Sequence, residues 1–319
     1  MSTTFENIRV ESQKKLDELR NELRLAYPEG NLNNQICIYA CGSMGRLEMT
    51  EKSDLDLFFV TEDNGFQDFT IPNLDKYLFF SKLYEINSRL KYQDPSKDGM
   101  YWEFTPKKNL LDIGSRQEDY NNSFTARMLL LLESKPLYNE KAYKKIVKET
   151  IDKYFSDYTD YSDEFYPLFL MNDILRYWYT LTLNYEYRRD DKDDVNKRYW
   201  KRLKLKYARL ITCYSMLACL YQKNISPEYV LKSVEMTPFE RLSMLADERE
   251  EIKDIVLKIE TAYEWYLELR KKGPGWWGEP QNKVEAMTKA DNFHNLVVHN
   301  FMKRIADGNP ALRNRADVY

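Results

Sequence analysis

Histidine and cysteine are scarce: the 319 residues include two of the first, His294 and His299, and four of the second, Cys37, Cys41, Cys213 and Cys219. The four thiols have no zinc-like spacing with the distant histidines, which excludes a zinc-finger type of site and leaves reduced thiols in a cytoplasm as the simplest account. The two histidines have only Asp291 at ligand spacing, so they read as structural residues. Long apolar runs are missing too. No stretch approaches the roughly 20 apolar residues of a membrane span, and the N-terminal MSTTFENIRVESQKK has no apolar core for a signal peptide. A soluble, cytoplasmic protein is expected. Neither sign of charge dominates: 48 basic residues stand against 51 acidic ones, a net charge of -3, so bulk electrostatics do not advertise a nucleic-acid binder. Any such binding has to be local. The length suggests two domains and suffices for a sizeable core.

What is present concentrates in one stretch, ICIYACGSMGRLEMTEKSDLDLFFV, from Ile36 to Val60. Ile36 to Ala40 is a β-favouring apolar run, and Gly42-Ser43 interrupts it where a strand would turn into a helix. Gly42 lets backbone approach a ligand, Ser43 offers a hydroxyl and an N-cap, and the amides of the following turn favour an anion. These residues form a candidate phosphate seat. About ten residues on, Ser53 to Val60 reads as a second strand. Residues two apart on a strand point to one face, so Asp54 and Asp56 are expected side by side. Two such carboxylates repel unless something positive lies between them, and a divalent cation with a nucleoside triphosphate fits that need.

Gly-Ser, a short helix and Asp-x-Asp on the next strand resemble the mark of the DNA polymerase β-like nucleotidyltransferase superfamily. The inner pattern, Gly45-Arg46-x-Glu48 followed by Ser53-Asp54-x-Asp56, is similar to the branch containing the PII-protein uridylyltransferases and related nucleotidyltransferases. The resemblance implies transfer of an NMP from an NTP to an acceptor hydroxyl with release of pyrophosphate, dependent on Mg2+ or Mn2+. It implies Asp54 and Asp56 as metal ligands, Gly42, Ser43 and Arg46 at the nucleotide, and a third carboxylate on a neighbouring strand. Glu103 is the candidate for that third position and Asp112 its rival. A protein tyrosine with UMP as donor is the acceptor the branch suggests, while RNA or a small molecule stays open. The alternative is a non-catalytic nucleotide-binding module on the same fold.

The fold expected is α+β: a small mixed-sheet nucleotidyltransferase domain at 1–138, with an N-terminal helix over 5–27, followed by an all-helical domain at 139–319 that closes the nucleotide cleft. Thr61 to Thr70 and Asp94 to Gly99 read as loop and turn, Leu74 to Leu90 as a helix, and Met100 to Phe104 as a third strand. Ser123 to Ser134 reads as a helix whose Arg127 ties it to an acidic loop or reaches a phosphate. In the second half, Asn172, Asp173, Arg176 and Asn184 recur on one helical face, either as a buried hydrogen-bond network or as a wall of the cleft. The basic segment from Arg188 to Arg209, interrupted by Asp190 to Asp194, reads mostly as a solvated helical surface. Lys204, Lys206 and Arg209 are its candidates for contact with a triphosphate, beside Arg176 of the preceding helix, and the segment would be the RNA-binding face were RNA the acceptor. Trp276 and Trp277, in a Gly/Pro-rich loop, are expected to pack on the domain.

Overall fold

The computed structural model describes residues 3–28, 35–51, 53–62, 71–93, 102–114, 122–161, 165–187, 195–222, 225–272, 274–309 and 312. The chain divides into two compact units, one of residues 2–153 and one from Tyr154 onward. The α+β class is as the sequence suggests.

In the first unit the elements run α1 (Thr3–Ala26), β1 (Ile36–Ala40), α2 (Gly42–Gly45), β2 (Leu57–Thr61), α3 (Asn73–Arg89), β3 (Phe104–Pro106), α4 (Lys107–Leu111), α5 (Ser123–Glu133), β4 (Lys135–Tyr138) and α6 (Glu140–Tyr154). The strands form one mixed sheet in the order β3-β2-β1-β4. β1 pairs antiparallel with both β2 and β4, and β2 pairs parallel with β3. All five residues of β1 are buried, as expected of a central strand covered on both faces. On one face Ile36, Ile38, Ala40, Leu57 and Phe59 pack against Leu16, Leu19 and Leu23 of α1 and Phe79, Leu83 and Ile86 of α3. The α1 residues recur at three- and four-residue steps, and this single stripe makes an otherwise highly charged helix dock. Tyr27, just past α1, stacks on Phe79 at 4.3 Å between ring centroids and donates its hydroxyl to the Phe79 carbonyl at 2.7 Å.

The opposite face carries Cys37, Tyr39, Phe58 and Val60. Tyr39 stacks on its cross-strand partner Phe58 and meets Tyr143 of α6 at 6.0 Å. The Tyr143 hydroxyl lies 2.8 Å from Ser134 Oγ, and Lys145 of α6 pairs with Glu62 at 3.1 Å. These contacts explain why α6, which its periodicity alone assigns to the helical half, groups with the sheet, so that the units divide between residues 153 and 154 rather than at 138.

The second unit contains α7 (Tyr158–Tyr161), α8 (Leu168–Tyr187), α9 (Val195–Lys204), a π-helical turn (Leu205–Arg209), α10 (Leu210–Leu220), α11 (Pro227–Glu235), α12 (Pro238–Glu248), α13 (Lys253–Arg270) and α14 (Pro280–Asn295). A second π-helical turn (Leu296–Phe301) and α15 (Met302–Asp307) follow. Apart from Tyr214 every residue of α10 is buried, which makes it the central helix. Proline at the first turn and a reciprocal capping box between Thr237 and Glu240 fix the start of α12. Trp277 is buried against Trp200 of α9 at 5.7 Å, so this tryptophan does pack on its domain. No helix among the described residues is long and apolar enough to cross a membrane.

Candidate active site

Chain direction builds the site. β1 ends at Ala40, Cys41 is extended, and Gly42 turns into α2 with φ of +63°, in the left-handed region that side chains with a Cβ avoid. Space forbids a side chain there independently. A Cβ on Gly42 would lie 2.3 Å from Asp56 Oδ2, so the Asp56 carboxylate occupies the volume that any other residue would fill. From Cys41 to Met49 the one residue that is not buried is Ser43.

The Cys41 amide donates to the Asp56 carbonyl at 2.8 Å and extends the β1–β2 pairing by one rung past Ala40 and Leu57. Asp54 and Asp56 therefore lie in an extended lead-in, and the strand itself begins at Leu57 rather than at Ser53, because its partner strand turns away at Gly42. The alternation expected of a strand still holds. Ser53, Leu55 and Leu57 are buried, while Asp54, Asp56 and Phe58 are half-buried on the other face. The two carboxylates thus share a face at one rim of the sheet, beside the turn into α2.

Arg46, expected at the nucleotide, is engaged within the protein. Its guanidinium is buried and donates to Glu48 Oε2 from Nε at 3.0 Å and to the Glu133 carboxylate from Nη1. A cation committed to two buried carboxylates is not a phosphate ligand in this conformation, and removing it would strand their charge. Gly45 serves the same joint: a Cβ there would lie 1.8 Å from the Glu133 carbonyl oxygen, so only glycine lets α2 approach the end of α5. Gly45-Arg46-x-Glu48 is therefore the clamp that holds the turn against α5. Loop bonds complete it. The Met49 amide donates to Ser12 Oγ of α1 at 2.7 Å, and the Thr50 amide to Ser53 Oγ at 3.0 Å.

Glu133 escaped the sequence reading because it closes an apolar helical run. The available signal was that such a run has to neutralise its buried acid. Arg127 is also fully buried and donates to the Leu110 carbonyl at 3.3 Å, so it ties α5 to α4. The acidic loop around Glu118 lies outside the described residues.

Glu103 is exposed and directly precedes β3. Extending the parallel register from Phe59 and Phe104 by one residue sets it level with Phe58, on the face of Asp56 but one strand away. Its rival Asp112 follows α4 and is likewise exposed. Among the described residues no three Asp, Glu, His or Cys side chains are grouped closely enough to hold a metal, so neither is assembled with the Asp pair here. Of the third strand expected over Met100 to Phe104, residues 100 and 101 lie outside the described residues and the strand found runs over Phe104–Pro106; both loops at 63–70 and 94–99 also lie outside the described residues.

The remaining candidates belong to the helical unit. Arg176 of α8 pairs at 3.7 Å with the buried Asp173, whose Oδ2 accepts from the Tyr154 hydroxyl at 2.5 Å. The Tyr154–Asp173 hydrogen bond is thus buried, whereas Arg176 is half-buried and Asn184 exposed. Lys204 is exposed, Arg209 half-buried, and Lys206 pairs with Asp291 of α14. Arg188, Arg189 and the acidic run 190–194 lie outside the described residues.

Residues 9–80 match the model of the family described as "Putative nucleotidyltransferase DUF294". The match runs from α1 into α3 and contains Gly42, Ser43, Asp54 and Asp56. It supports nucleotidyl transfer as the general chemistry of the sheet unit. No curated protein and no solved structure matches the chain.

Proposed function

We propose that the sheet unit is a metal-dependent nucleotidyltransferase that moves an NMP from an NTP to an acceptor hydroxyl, with a protein side chain as the first acceptor to test. The observation that carries this is the lodging of the Asp56 carboxylate in the space that only Gly42 leaves open, with Asp54 on the same face. Half-buried paired carboxylates suit Mg2+ or Mn2+, which takes one or two carboxylates and completes its sphere with substrate phosphates and water. When bound, the ion would offset negative charge on the phosphates as pyrophosphate leaves.

The chain's own residues do the rest. Asp54 and Asp56 would hold the ion at the sheet rim. Backbone at Gly42 and the hydroxyl of Ser43 receive the outer phosphates, where the first amides of a helical turn have no partner within it. The acceptor oxygen bonds the α-phosphorus while the bridging oxygen leaves with pyrophosphate. The hydroxyl proton passes to a carboxylate of this face, for which Glu103 is our candidate. Arg46 takes no part except to hold the turn, and Arg176, Lys204 and Arg209 are assigned no step.

The test is incubation of the full chain with each α-labelled NTP, with and without Mg2+ or Mn2+, in a cell lysate whose protein, RNA and small-molecule fractions are then counted. Label entering the protein fraction only with the metal, and not with Asp56→Asn, is expected. Label confined to RNA or small molecules would change the acceptor. Absence of transfer from any NTP, with calorimetry showing metal-independent nucleotide binding, would leave a binding module in place of an enzyme.

A further inference from the structure

We propose that the helical unit holds a binding site of its own for a small organic anion bearing a planar ring, in the cavity between α8, α9, the first π-helical turn and α14. This goes beyond nucleotidyl transfer and does not depend on the Asp pair. The cavity has a volume of about 520 Å³, and Arg198, Arg202, Lys206, Trp178, Tyr199 and His294 are among the residues lining it. Organic ligands typically occupy pockets of roughly 300 to 1,000 Å³ with aromatic walls and a few convergent polar groups.

Three lines of argument favour a ligand over a merely solvated basic face. Arg198, Arg202 and Lys206 recur every fourth residue, so they form one stripe, and like charges so spaced destabilise a helix unless something compensates them. Among the described residues Lys206 and Arg202, the latter at 3.6 Å, share a single carboxylate, that of Asp291. The local backbone is unusual as well. Leu205 and Lys206 reach the cavity from a π-helical turn, and His294 stands shortly before the second one. Such turns cost helix geometry and concentrate at functional sites. Finally, the lining suits a ring. Trp178, Tyr185 and Tyr199 line the cavity together with the guanidinium groups, a composition that accepts a flat ligand while the cations take its acidic end.

His294 supplies a reporter. Burial, and next Lys206, hold its imidazole below the ordinary histidine value; His299 acts in the same direction, while Asp291 and a bond to Asn295 oppose it. With two histidines in the chain, its ring resonances are readily assigned.

The experiment is NMR of the His294 ring in the full chain, in EDTA so that metal-dependent binding at the Asp pair does not contribute. The probes are AMP, UMP and 4-hydroxybenzoate, with inorganic phosphate as the ringless control. A saturable His294 shift is expected below about 1 mM for the nucleotides or for the carboxylate, which tells phosphate-bearing from carboxylate-bearing ligands, with phosphate alone at least about tenfold weaker. Arg202→Gln and Lys206→Gln should each weaken binding about tenfold or more, Lys206→Arg should retain it, and Asp56→Asn should leave it unchanged. No saturable shift with any ring-bearing probe, equal binding of phosphate, equal binding by the Gln variants, or loss in Asp56→Asn would each overturn the site.

Discussion

The acidic rim of the sheet unit and the basic cavity of the helical unit are opposite in charge and in construction. The rim is made by neighbours in sequence, from Gly42 to Asp56, joined by one turn and one rung of a ladder. The cavity is made by residues from Trp178 to His294, brought together only by helix packing. A site of the first kind writes itself into a short motif, because backbone geometry and chemistry are specified by the same few residues. The second kind leaves in sequence only a stripe of cations, which looks like any solvated helical surface.

The sharpest way to break this comparison is to remove charge from the rim. Asp54→Asn and Asp56→Asn are each expected to lower nucleotidyl transfer by roughly 10³-fold or more, the several kcal/mol that metal-assisted charge stabilisation supplies. Binding of AMP or UMP in EDTA should be untouched. Melting temperatures should stay level or rise, since each change relieves repulsion between the two carboxylates. Turnover retained in both variants would end the transferase reading while leaving the helical cavity intact.

Next in size is the clamp beneath the rim. Arg46→Met leaves Glu48 and Glu133 buried without this guanidinium, and removing one partner of a buried ion pair typically costs about 3 to 5 kcal/mol. Denaturant unfolding should register that loss, with little change in KM for the NTP in the folded fraction. A raised KM at unchanged stability would return Arg46 to the phosphates.

Gly42→Ala probes the joint between backbone and chemistry. The left-handed φ alone costs about 1 to 2 kcal/mol for a residue with a Cβ, and the added methyl displaces the Asp56 carboxylate. Activity should therefore fall further than stability explains. Glu103→Gln should lower kcat by about 10²-fold, the low end of what a positioned general base supplies, because Glu103 is exposed and lies one strand from the pair. An effect as large as that of Asp56→Asn would make it a full member of the metal site.

How legible each part was follows from the range over which it is specified. Strand β1, the Gly42 turn and the shared face of Asp54 and Asp56 could be read from the stretch between Ile36 and Asp56, because alternation and glycine conformation are local rules. The start of β2 could not, since it depends on where the partner strand leaves. The ion pair of Arg46 could not be read either, because its carboxylate at residue 133 comes from a different helix. Helix α6 looked like the first of the helical half because periodicity reports that a face is buried, not against what.

The smallest effects distinguish how the two units treat buried polar groups. In the helical unit the buried Asp173 carboxylate has both the Tyr154 hydroxyl and Arg176, so Tyr154→Phe removes a charge-assisted bond and should destabilise by about 1.5 to 3 kcal/mol. In the sheet core the Tyr39 hydroxyl is fully buried and has no hydrogen-bond partner among the described residues. Burial, then Cys41, Cys37 and Tyr143, push it well above the ordinary tyrosine value, so it stays protonated and neutral. An unsatisfied buried hydroxyl costs free energy, whereas its ring, stacked on Phe58, contributes. Tyr39→Phe keeps the ring and deletes the cost. It should raise unfolding free energy by about 1 kcal/mol, measured by denaturant titration, and leave turnover unchanged. A loss of stability would mean that this hydroxyl has a partner in solution, and a loss of turnover would tie it to the acidic rim that begins at Gly42.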